Sequence, residues 1–85
     1  MPEISRFFGI VIAMYYTEHG RPHFHAEYGG VRASIEIGTG LIRGDIAARA
    51  QRLVLEWAGL HRRELLENWE RAREGQPLNP IAPLE

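Results

Sequence analysis

Residues 23 to 37, HFHAEYGGVRASIEI, alternate apolar and polar side chains on either side of a central Gly29-Gly30 pair. An extended chain turns successive side chains to opposite faces, so Phe24, Ala26 and Tyr28 share one face while His23, His25 and Glu27 share the other. Beyond the glycines, Val31, Ala33, Ile35 and Ile37 take the first face and Arg32, Ser34 and Glu36 the second. Two consecutive glycines supply the positive φ values that a two-residue hairpin turn demands. The stretch therefore predicts a β-hairpin with one dry face, and a dry face needs a cover.

The cover follows directly. From Ala50 onward, Leu53, Val54, Trp57, Leu60, His61, Leu65, Trp69 and Ala72 recur at steps of three and four, the mark of one apolar stripe along a helix. Asp45 reads as the N-cap; Gly75 and Pro77 end the helix in the usual order. The spacing predicts one long helix, or two helices broken near Gly59. "GTG" at 38 to 40 reads as a hairpin loop, with a short strand in "LIRG" after it. Upstream, Phe7 to Tyr16 is apolar on both alternating sets, which predicts a central strand. The fold class is α+β: a three- or four-stranded antiparallel sheet over 5–44, a helical region over 45–74 and an extended Pro-rich tail over 75–85, in which Leu78, Ile81 and Leu84 fasten the tail. All of it forms a single domain over 1–85.

At 85 residues such a domain is near the size where one core barely offsets the entropy of folding. A homo-oligomer or a small partner protein is therefore expected. The apolar run at 7–16 is about half the length that spans a bilayer and lacks the charged start of a signal peptide. The expectation is a cytoplasmic protein with no membrane partner.

Three histidines stand within residues 19–25, and cysteine is absent, so any metal would rest on imidazole and carboxylate. His23 and His25, roughly 6 to 7 Å apart on one face of a strand, can share an ion. With His19 folding back from the preceding turn they would make a site for zinc, nickel or ferrous iron, the alternative to a chain without a cofactor. Histidine also titrates near neutrality, so His23 and His25 can serve as acid and base, with Arg21 or Arg32 holding phosphate. That is the arrangement of a metal-independent endoribonuclease, and RNA is then the partner. The plain alternative leaves them as polar residues on the wet side of a hairpin.

Tyr28, Trp57 and Trp69 are candidate binding residues, although strand tyrosines and stripe tryptophans belong first to the core. His61, on the same stripe, is read as a partly buried histidine hydrogen-bonded to a neighbour. Six of the ten arginines lie between 49 and 73, interleaved with Glu56, Glu64, Glu67, Glu70 and Glu74. The i,i+4 pairs Arg52–Glu56, Arg63–Glu67 and Glu67–Arg71 point to a solvated helix face rather than a basic RNA surface. No GxSxG, P-loop, HExxH or dinucleotide glycine motif occurs.

"MPEISRFFGIVIAMYY", "RPHFHAEYGG" and "RLVLEWAGLHRRELLENWERAREGQPLNPIAPLE" together resemble a family of small bacterial proteins known as domain of unknown function 4160. The resemblance covers essentially the whole chain and implies that Pro22, His23, Phe24, His25, Tyr28, Gly29, Trp57, His61 and Trp69 belong to the family signature. It implies a product of a two-gene operon and a component of a toxin-antitoxin-like pair, and it supplies no reaction. The leading functional expectation is therefore one half of a two-protein module acting through protein-protein interaction. The endoribonuclease and the histidine-based metal-binding protein are its alternatives.

Overall fold

The computed structural model describes residues 2–85. Five strands, β1 (Glu3–Phe7), β2 (Ile10–Ala13), β3 (His23–Tyr28), β4 (Val31–Glu36) and β5 (Ile42–Arg43), form one antiparallel sheet in chain order. Two helices, α1 (Ala48–Leu60) and α2 (Arg62–Arg73), follow. The architecture is α+β, with five strands where three or four are expected.

The additional strand comes from the N-terminal run, which is a hairpin rather than one central strand. Phe8 and Gly9 take φ of 50° and 79° and fold Phe7 against Ile10. A phenylalanine with positive φ is strained and carries none of the usual turn signals. Only Phe7 of the run falls in β1; β2, flanked by β1 and β3, keeps both apolar sets, with Ile10 and Ile12 buried in one and Ala13 buried and Val11 half-buried in the other. At Gly29-Gly30 the expected turn forms, with φ of 59° and 81°.

Phe24, Ala26, Ala33, Ile35 and Ile37 are buried on the predicted face, and Ile10, Ile12 and Met14 join them. Val31, expected there too, is 41% exposed because it sits at the open turn end of β4. Trp57 is fully buried, with its ring 5.3 Å from Phe7 and 5.7 Å from Phe24, edge-on to the latter. Gly44, at φ 131°, admits no side chain, since a Cβ there would lie 2.7 Å from the Ala33 Cα.

Asp45 is not the N-cap. Ile46 is buried in the core, which keeps residues 45–47 out of the helix, and the cap is Ala47 with no side-chain bond. There are two helices, and the break near Gly59 falls at His61 (φ −123°, ψ 27°), with Gly59 itself inside α1. His61 stacks 5.5 Å from the Trp57 ring and bonds Glu64 Oε1 through Nδ1 at 2.6 Å.

The tail is fastened by specific bonds as well as by Ile81 and Leu84, both buried. The fully buried Asn68 side chain donates to the Asn79 carbonyl and accepts from the Asn79 N–H, each at 2.8 Å. Trp57 Nε1 donates to the Ala82 carbonyl at 2.8 Å, and Ile81 N–H to the Ile4 carbonyl at 2.8 Å. Arg71, expected to pair with Glu67, instead donates Nε to the Pro77 carbonyl at 2.7 Å.

Candidate functional site: a carboxylate between two histidines

His23 and His25 are the first and third residues of β3, so both rings leave the sheet opposite Phe24. The loop from β2 to β3 carries Glu18 back over them. His25 Nε2–H donates to Glu18 Oε1 at 2.7 Å, and His23 Nε2 stands 3.4 Å from Oε2. His23 Nδ1 lies 2.8 Å from the Arg21 carbonyl. A carbonyl only accepts, so Nδ1 carries the hydrogen. One carboxylate thus addresses two imidazoles, one oxygen to each.

The rings are held from several sides. Tyr15 meets His25 edge-on at 4.8 Å, His25 meets His23 at 5.3 Å, and Trp69 lies against His23 at 5.1 Å. The histidine side chains are only 14% and 17% exposed and that of Glu18 30%, so the cluster is shielded yet reachable. Burial pushes the Glu18 carboxyl up, but the hydrogen bond from His25 and the charges of His25 and His23 outweigh it. The net result is a carboxyl below its ordinary value, the behaviour of a group whose charged form is preferred.

Glu18, His23 and His25 each offer one ligand atom within 4.8 Å of the others. A tetrahedral zinc ion with bonds near 2.0–2.1 Å sets its donors about 3.3 Å apart. The 2.7 and 3.4 Å separations run to the two different Glu18 oxygens, so the donors stand near that spacing without meeting it at one oxygen. A metal-binding histidine commonly donates its other N–H to a carbonyl, which fixes the ring, as His23 does to Arg21.

His19 is the expected third member of this group; the residue that meets the two rings is Glu18. His19 is exposed beside it and is not among the clustered donors. The available signal was an HxH pair on a strand preceded by a loop with two adjacent donors, Glu18 and His19, and local pattern does not choose between them.

The other candidate residues are spread around the site. Arg21 is 80% exposed, 3.9 Å from Glu36. The Arg32 guanidinium lies 5.7 Å over the Tyr15 ring, so it reaches His25 only through Tyr15. Tyr28 packs against the edge of the core, and Trp57 is wholly inside it. Trp69 is buried while touching His23, so of the three aromatic candidates it is the one joined to the cluster.

A family model described as Domain of unknown function (DUF4160) matches residues 9–70. The chain belongs to that family. The matched DUF4160 region contains Glu18, His23, His25 and Trp69, and ends before the tail that Asn68 anchors. No curated protein and no solved structure matches the chain.

Proposed function

We propose that this chain is a metal-binding protein in which Glu18, His23 and His25 hold a divalent transition ion. The convergence of both histidine Nε2 atoms on one carboxylate carries the reading. Two imidazoles and a carboxylate suit zinc or ferrous iron, and three protein ligands leave a position open for water or a ligand. The same geometry weighs against a metal-independent ribonuclease. Both Nε2 atoms face Glu18 and His23 Nδ1 faces a backbone carbonyl, so these nitrogens do not point toward a substrate as an acid-base pair requires.

Metal content of the untagged protein, and a zinc titration followed by melting temperature, test the proposal. An ion that binds only the folded state raises stability with its concentration. Wild type is expected to take up one equivalent of zinc with a higher melting temperature. Glu18→Gln and His23→Gln, His25→Gln are expected to lose that response. A wild-type protein that melts identically with and without zinc, nickel and ferrous iron sinks the reading.

A second reading, the two-protein module implied by the family resemblance, has support of its own. Leu60 and Leu55 are 67% and 41% exposed on α1, Leu66 40% on α2, and Leu41 48% in the β4–β5 loop, whose Gly40 faces Leu55. Exposed leucines in such number suit association. Light scattering of the protein alone and after co-expression with the product of the neighbouring gene checks it. A mass of one chain in both cases would remove it.

A further inference from the structure

The helices cover the Phe24 face of the sheet, and Trp69 of α2 also reaches His23, so the other face is only partly open around the histidines. Along that face, register places His25 opposite Ser34, Ser34 opposite Arg43, and His23 opposite Glu36. His23, Ser34, Glu36 and Arg43, together with Arg21, Thr39, Gly40 and Leu41, border an open groove of about 810 Å³. Its size falls within the range of small-molecule sites.

The charge in the groove is unbalanced. Arg21 approaches Glu36 only to 3.9 Å and is largely exposed, while Arg43 forms no ion pair among the described residues. Glu36 is partly satisfied internally, accepting the Thr39 hydroxyl at 2.9 Å. Two guanidinium groups, with the Ser34 hydroxyl between Arg43 and His25, offer forked and single donors to an oxyanion. Arginine suits phosphate because its planar fork matches two oxygens at once.

We propose that this groove binds a phosphate ester, its phosphate held by Arg21 and Arg43 beside the Glu18–His23–His25 cluster. The groove is larger than a bare anion needs, which is why an ester is the expected ligand. Binding in the groove stands on the arginines alone. Only its contact with a metal ion rests on the reading above.

The experiment titrates inorganic phosphate, then diethyl phosphate, into the full chain with chelator present, following backbone amide shifts. Saturable shifts at Ser34, Thr39 and Arg43 are expected, weakening as salt rises. Arg21→Gln and Arg43→Gln are each expected to weaken binding about tenfold, the loss of one charge-assisted contact. Arg52→Gln, on the exposed side of α1, should change nothing. Melting curves establish that the variants fold; were Arg43→Gln to unfold, Arg21→Gln carries the comparison. Absence of saturation, or an equal loss in Arg52→Gln, overturns the proposal. Repeating the titration with zinc separates the two readings: phosphate binding that persists in a protein unable to bind zinc leaves the groove assignment standing and removes the metal.

Discussion

Glu18 and His25 stand seven residues apart in the chain and 2.7 Å apart in space, with the carboxylate held by an imidazole that Tyr15 braces edge-on. The pair ties the β2–β3 loop to β3, so the loop's conformation and the site's geometry are one property.

The depressed Glu18 carboxyl has a consequence for acid stability. A group whose folded value lies below its unfolded value stabilises the fold above the unfolded value, and that contribution is lost as pH falls through the folded one. The ordinary value is 4.5 and the folded value is lower. Wild type is expected to melt above Glu18→Gln at pH 5 to 6, with the difference closing as pH drops below about 4.5. Parallel melting-temperature curves down to the lowest pH would contradict it.

Trp57 joins Phe7, Phe24, His61 and the Ala82 carbonyl. Trp57→Ala removes a fully buried ring and leaves that carbonyl without its donor, costing roughly 3 to 5 kcal/mol. Against a total of about 5 kcal/mol for a domain this small, the variant should retain no more than about 2 kcal/mol and melt far below wild type. Circular dichroism on heating measures it; a melting temperature within a few degrees of wild type would show that Trp57 carries little of the core.

Asn68 is the buried fastening of the tail. Asn68→Leu leaves the N–H and carbonyl of Asn79 without their side-chain partner, at about 1 to 3 kcal/mol. The expected signature is local: faster amide exchange and earlier proteolytic cleavage over residues 76–85, ahead of the sheet. Unchanged protection of the tail would assign its hold to the buried Ile81 and Leu84 and to the bonds at Ile4, Trp57 and Arg71.

Gly44→Ala drives a methyl against the Ala33 backbone and forces an alanine into a glycine-type conformation. Gly59→Ala, inside α1 with open space around it, gains helix propensity of up to about 1 kcal/mol. Opposite shifts in melting temperature are expected, Gly44→Ala down and Gly59→Ala up. The same sign for both would refute the distinction.

Side-chain pattern suffices to specify the β3–β4 hairpin, its glycine turn, which strand face is dry, and the helical stripe that covers it. It specifies as well that His23 and His25 share a surface. Each of these is written in the side chains of near neighbours, where a period of two or of 3.6 residues decides which way a residue points. Packing decides the Phe8–Gly9 turn, the late start of α1 behind the buried Ile46, and which loop residue, Glu18 rather than His19, meets the two rings. A phenylalanine accepts positive φ only where packing on both flanking strands overrides its local preference. A loop donor reaches a strand only along the path that its two ends impose. The HFH pair was legible because a strand is periodic; its carboxylate was not, because a loop has no period.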